Sequence, residues 1–86
     1  MKKQFIEFSA EWCGPCKMQK PVIDLIKNKY SNQFDFIDVN IDKEPNLAAR
    51  YNVQSIPTMI ILDEKGSEKR RLIGFHTEPQ VETALQ

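Results

Sequence analysis

Cysteine and histidine are scarce in this chain. Its 86 residues include one histidine, His76, and two cysteines, Cys13 and Cys16, which share one short motif. With no other sulfur pair, the chain cannot form a framework of several disulfides. A closed zinc site needs four ligands, so a complete site within one chain is disfavoured, while a site shared between two chains stays open.

An excess of either charge is also absent. Twelve basic residues balance twelve acidic ones, which argues against attraction to nucleic acid or an anionic membrane and favours a protein partner. No stretch approaches the apolar length of a membrane span, and the basic start at Lys2 and Lys3 lacks the apolar segment of a signal peptide. We therefore expect a cytoplasmic protein, in a compartment that keeps thiols reduced.

The motif Trp12-Cys13-Gly14-Pro15-Cys16 is the most informative part of the chain. Its spacing places two thiols one helical turn apart, where they can close a small disulfide ring and open it again. A permanent disulfide there would add little stability, because so small a ring removes little entropy from the unfolded chain. The motif therefore favours disulfide exchange over a structural cross-link.

Hydrophobic patterning predicts alternating strands and helices, as in a single α/β domain over residues 1–86. The run Met59–Leu62 has no polar face, which is typical of a central strand covered on both sides. The predicted strands are 4–8, 34–39, 58–62 and 67–73, and the predicted helices are 13–29, 45–51 and a closing helix that begins near 77.

Apolar residues recur on the first predicted helix at the spacing of one buried face: Met18, Val22, Leu25 and Ile26. Pro21 lies inside that helix and removes one backbone hydrogen bond, which predicts a kink. In the last predicted strand, the basic residues 69–71 resemble charges that protect a sheet edge more than a nucleic-acid patch.

Several motifs in order along the chain resemble the thioredoxin family: Ala10–Met18, Pro21, Asn40–Asp42, Ile56–Thr58 and Gly74. The resemblance implies a thioredoxin-like α/β fold with a four-stranded mixed sheet and three helices. The usual first strand and helix of the family are missing, so the outline is close to that of glutaredoxins. The implied order of the sheet is 34–39, 4–8, 58–62, 67–73.

The resemblance implies that Cys13 and Cys16 are catalytic and that no cofactor is bound beyond their redox-active disulfide. Cys13, at a helix amino terminus that lowers the pKa of its thiol, would attack a substrate disulfide. Cys16, expected to be more buried, would then attack Cys13 and release the reduced substrate. In the family, Gly-Pro between the cysteines accompanies strong reductants.

The resemblance also implies a substrate-binding surface. Pro57 matches the cis-proline of the family, which would let the backbone of Ile56 pair with an extended substrate segment. Trp12 would shield the thiols, although a partly buried core aromatic is an equal alternative. His76 is expected to be an ordinary surface histidine. The implied substrate-binding residues are Trp12, Gly14, Pro15, Ile56, Pro57 and Gly74.

Two residues depart from the family pattern. Glu7 stands where thioredoxins usually bury an aspartate, and a buried carboxyl there would exchange a proton with Cys16. The alternative is that Glu7 points outward. Asp38 stands where the family commonly has a lysine, so it would disfavour ionised Glu7 and give an unusual pH profile.

The predicted function is reduction of protein disulfides by a monomeric thiol–disulfide oxidoreductase, regenerated by thioredoxin reductase or a similar electron donor. One alternative keeps the same site in a glutaredoxin-like donor dedicated to a single enzyme, such as a ribonucleotide reductase. A second alternative is a binding module in which redox activity is incidental. A metal-binding module ranks third.

Overall fold

A computed structural model describes residues 2–86 of the chain. The elements, in chain order, are β1 (Lys3–Ser9), α1 (Gly14–Tyr30), β2 (Phe34–Asn40), α2 (Pro45–Arg50), β3 (Thr58–Leu62), β4 (Glu68–Ile73) and α3 (Glu78–Leu85). All the predicted elements are present, and their predicted bounds are confirmed to within one residue. Within the described residues, none of the helices combines the length and apolar character needed to cross a membrane.

The strands form one mixed sheet in the order β2-β1-β3-β4. β1 is parallel to β2 and antiparallel to β3, and β4 is antiparallel to β3. The expected fold class and strand order are confirmed. In β1, Glu7 lies opposite Asp38 of β2 and Met59 of β3, so one of its neighbours is acidic and the other apolar.

Alternation of side chains along β1 and β3 gives the sheet two buried faces. Phe5 and Ile61 pack in one cluster with residues of α1 and α3. Ile6 and Ile60 pack in a second cluster, against partly buried residues of α2. Because Glu7 has the same parity as Phe5, it lies on the face that α1 covers.

The buried face of α1 differs from the predicted one, which was wrong for Met18 and Leu25. These side chains are 61% and 51% exposed. Cys16 is buried and bonded to Cys13 at the start of the helix, so the face that contains Cys16 turns towards the sheet. The helix continues through Pro21, where the kink stays a prediction. The buried residues of α1 are Cys16, Gln19, Ile23 and Ile26.

The basic residues of β4 engage the protein itself. The ammonium of Lys69 lies 3.6 Å from the carboxylate of Asp63. Arg71 donates to Glu68 at 2.8 Å and to the carbonyl of Tyr51, just after α2, at 2.7 Å. These contacts support a charged sheet edge and leave little of the triplet free for nucleic acid.

Candidate active site

Cys13 is the N-cap residue of α1 and forms a disulfide with Cys16. The backbone N–H of Cys16 donates to Cys13 Sγ at 3.2 Å, which satisfies one of the free amides of the first helical turn. Both cysteines are 5% exposed, so the expectation that Cys16 is the more buried of the two is wrong for this oxidised form. Ala10 and the partly buried Ile41 and Ile56 pack around the pair.

Gly14 and Pro15 form the exposed first turn of α1, between the cysteines. A Cβ on Gly14 would meet no atom within 4 Å apart from its chain neighbours and the backbone of its own helix. The space over this turn is therefore open.

The Ile56–Pro57 peptide bond is cis, as predicted. The carbonyl oxygen of Ile56 lies 3.9 Å from Cys13 Sγ. Gly74 donates its N–H to the carbonyl of Pro57 at 2.8 Å, and its φ of +87° is readily adopted only by glycine. The fold thus brings Cys13, Ile56, Pro57 and Gly74 together, although they are far apart in sequence.

Trp12 is 68% exposed, so the alternative of a core aromatic is wrong. Its indole Nε1–H donates to Asp42 Oδ2 at 2.8 Å. The ring borders a shallow surface pocket together with Ile41, Val53 and Ile56. The hydrogen bond orients an otherwise exposed ring beside the disulfide.

Glu7 is buried, with 7% of its surface exposed, so the alternative that it points outward is wrong. It lines a charged cleft together with Cys16, Lys20 and Asp38. Burial is the main reason that the pKa of Glu7 rises from 4.5 to about 7. The neighbouring Asp38 raises this pKa further, Lys20 opposes the rise, and Asp24 adds a smaller increase.

Comparison with known proteins decides the family. The thioredoxin family model matches residues 1–86, the whole length of the chain. The chain belongs to the thioredoxin family.

Three relatives illustrate the extent of the similarity. Thioredoxin M4, a chloroplastic protein of Arabidopsis thaliana, is 45% identical over 82 residues, which cover 94% of this chain and 42% of the plant protein. The thioredoxin of Borreliella burgdorferi is 38% identical over 81 residues, which cover 94% of this chain and 68% of the bacterial protein. The solved structure of the germline-specific thioredoxin Deadhead of Drosophila melanogaster matches with a TM-score of 0.89 at 28% identity, covering 98% of this chain and 78% of that one. The chain is thus shorter than each of these relatives.

The Cys13–Cys16 bond of this thioredoxin-family fold is a redox-active disulfide, and its chemistry is thiol–disulfide exchange. The sulfurs are the reacting groups, so the site needs no further ligand for electron transfer. Among residues 2–86, no three or more His, Cys, Asp and Glu side chains are grouped to hold a metal ion.

Two residues beside the thioredoxin-family site were missed by sequence reasoning. Asp42 was noticed only as part of a motif, without its bond to Trp12. Gln19 was overlooked. It is fully buried on α1, and its side-chain amide forms hydrogen bonds with both the N–H and the carbonyl of His76. A polar residue one turn after Cys16 was the available signal, but its partner lies 57 residues away in sequence.

Proposed function

We propose that this thioredoxin-family protein reduces disulfide bonds in other proteins, with Cys13 as the attacking sulfur and Cys16 as the resolving one. The observation that carries the proposal is the position of Cys13 Sγ at the amino terminus of α1, where it accepts the N–H of Cys16. In the reduced protein, that N–H and the helix dipole favour a thiolate on Cys13. Resemblance supports the reducing direction, because Gly14-Pro15 is the dipeptide of strong reductants in the family.

The reaction has two steps. The Cys13 thiolate attacks one sulfur of the substrate disulfide, forming a Cys13–substrate bond and releasing the other sulfur as a thiolate that takes up a proton. Cys16 then loses its proton and attacks Cys13 Sγ, which forms the Cys13–Cys16 disulfide and releases the second substrate thiolate. Each released substrate thiolate takes up a proton from solvent, whereas this protein gives up one proton, that of Cys16. The two electrons come from the Cys13 thiolate and the Cys16 thiol, which end as the Cys13–Cys16 disulfide.

Glu7 is the proposed acceptor of the Cys16 proton. Glu7 and Cys16 line the same cleft, and the pKa of Glu7 is raised to about 7. A carboxylate with this pKa can take a proton from a thiol and return it to solvent near neutral pH. Asp38 and Lys20 tune that pKa in opposite directions.

The proposed docking surface lies next to Cys13, whereas the cleft of Glu7 is lined by Cys16. Trp12, Ile56, Pro57 and Gly74 surround Cys13 there, next to the open turn of Gly14 and Pro15. An extended substrate segment would pair with the backbone of Ile56, which places its disulfide against Cys13.

We infer a thioredoxin reductase or a similar donor as the source of electrons, and we expect the protein to act as a monomer in the cytoplasm. Membership of the thioredoxin family supports both inferences, that the substrates contain disulfides and that a reductase donates the electrons. The balance of basic and acidic residues is in keeping with protein partners rather than nucleic acid or anionic membrane.

A trapping experiment tests the assignment of the two sulfurs. Incubated with insulin, whose disulfides are accessible, Cys16→Ser should accumulate a covalent complex that dithiothreitol releases, because the second step is removed. Cys13→Ser is the matched control and should form no such complex. Trapping by Cys13→Ser in place of Cys16→Ser would reverse the assigned roles.

A redox titration tests the direction. The dithiol and disulfide forms are equilibrated in dithiothreitol and glutathione buffers and followed by the fluorescence of Trp12, the only tryptophan. A midpoint of about −270 mV supports a reductant, and one above about −200 mV contradicts it.

A further inference from the structure

Gln19 is a buried polar residue that the exchange reaction does not use. It lies on α1, one turn after Cys16, and none of its surface is exposed. Burying an amide without partners costs free energy, so its hydrogen bonds reveal what the residue holds in place.

The nitrogen and the oxygen of the Gln19 side-chain amide both form hydrogen bonds with the backbone of one residue. Gln19 Nε2 donates to the carbonyl of His76 at 2.9 Å, and the N–H of His76 donates to Gln19 Oε1 at 2.8 Å. His76 lies in the segment between β4 and α3. A side-chain amide that pairs with both backbone groups of one residue mimics a strand partner and fixes the segment in one orientation.

The bonds continue from His76 to the proposed docking surface. His76 Nδ1 lies 2.8 Å from the carbonyl oxygen of Gly74. The N–H of Gly74 in turn donates to the carbonyl of Pro57 at 2.8 Å. The cysteine helix, the 74–76 segment and the cis-proline are therefore joined by one chain of hydrogen bonds that begins at Gln19.

We propose that Gln19 is a positioning residue, which ties the 74–76 segment to the cysteine helix and so sets the affinity for protein substrates. It touches neither sulfur through a hydrogen bond, and it acts through Gly74 and His76. Without it, both backbone groups of His76 lose their partner and the segment samples orientations that do not fit an extended substrate. The inference rests on the proposed function, because it presumes docking on this side of the disulfide.

The test compares Gln19→Met with Ile26→Val. Methionine keeps the bulk and helix propensity of glutamine but has no amide. Ile26 is as buried as Gln19 on the same helix and belongs to the apolar cluster that α1 and α3 form with the sheet. The two variants therefore perturb one helix, with and without loss of the contact to His76.

The rate of oxidation of each reduced protein is measured by stopped flow against insulin concentration, with Trp12 fluorescence as the signal. In Gln19→Met, we expect the half-saturating insulin concentration to rise about tenfold, while the limiting rate and the rate with hydroxyethyl disulfide change less than about twofold. Ile26→Val should leave all three values near those of the unchanged protein. An unchanged half-saturating concentration, or an equal rise in both variants, overturns the proposal.

Amide hydrogen exchange provides a readout that needs no substrate. In the unchanged protein, the amides of Gly74 and His76 should be protected, and Gln19→Met should speed their exchange at least about tenfold. If both amides exchange freely in the unchanged protein, the positioning role is wrong. If they are protected but the unchanged protein does not reduce insulin, the proposed function fails while the contact made by Gln19 stands.

Discussion

On the Cys13 side of the disulfide lies a surface of backbone groups and apolar rings, and on the Cys16 side, lined by Cys16 itself, lies a charged cleft. The first side is held by directed hydrogen bonds, such as Gly74 to Pro57 and Trp12 to Asp42. The second depends on the buried carboxyl of Glu7 and the charges around it. In the proposed mechanism, geometry governs which partners dock, whereas electrostatics governs when protons move. Changes on one side should alter affinity, and changes on the other should alter pH dependence.

Of these changes, Glu7→Gln should have the largest effect on stability, because it removes the pH dependence that Glu7 causes. The folded-state pKa of Glu7, about 7, lies above the value of 4.5 expected when unfolded. The folded state therefore holds this proton more tightly than the unfolded state does. The free energy of unfolding that this proton contributes is fully present below pH 4.5 and is lost as pH rises through 7. Between pH 5 and pH 8, the loss should be about 2.5 kcal/mol.

Urea unfolding of the oxidised protein at several pH values measures this loss. The curve of Glu7→Gln should be flat over the same range, because glutamine does not titrate. The lowered pKa values of Asp63, Glu68 and Glu82 act in more acidic solution and do not interfere. Equal slopes for both proteins would show that Glu7 has an ordinary pKa.

Asp38→Lys should also change the dependence of stability on pH, with a smaller effect than Glu7→Gln. Asp38 lies opposite Glu7 in the register of β1 and β2 and raises its pKa. A lysine there would lower that pKa by about one unit and add about 1 kcal/mol of stability at pH 8.

The matched control for this change is Asp35→Lys, which alters the same charge on the same strand opposite Gln4. The effect of Asp38→Lys should shrink in high salt, because exposed charges are screened. A pH curve that moves equally in both variants would mean that net charge, rather than the position of Asp38, is responsible.

Asp42→Ala should weaken docking while leaving pH dependence unchanged. It removes the acceptor of the Trp12 indole and keeps the ring as an optical signal. Losing one exposed hydrogen bond should raise the half-saturating insulin concentration about two- to fivefold. Lys43→Ala, a change at the exposed neighbouring residue, is the control. A changed stability–pH curve in Asp42→Ala would break the separation of the two sides.

Sequence reasoning succeeded where the information is local. Three features can each be recognised within a few residues: the cysteine motif, the buried strand Met59–Leu62 and the Ile56–Thr58 motif that contains Pro57. It failed where distant parts decide. The bond from Gln19 to His76 spans 57 residues, and its partner is a backbone group that any residue carries.

The face of α1 was mispredicted for a related reason. An apolar repeat on a helix fits more than one stripe, and Cys16, as an anchor of the disulfide, selects the stripe that is buried. Glu7 is an intermediate case. The family resemblance suggested that it is buried, and burial is the main reason that its pKa is raised. The further rise from Asp38 and the opposing effect of Lys20 come from two other elements, β2 and α1.

Met18→Ala should have the smallest effect, and it tests how far the docking surface extends along α1. Met18 lies two residues after Cys16 but is 61% exposed, so truncating it should cost less than about 0.5 kcal/mol. Ile26→Val removes a single buried methylene and should cost about 1 kcal/mol. The half-saturating insulin concentration of Met18→Ala should also stay within about twofold of the unchanged value, because Gln19, rather than Met18, makes the hydrogen bonds that join α1 to the 74–76 segment. A severalfold rise in that concentration without loss of stability would show that insulin also contacts the outer face of α1. The docking surface would then reach at least as far as Met18.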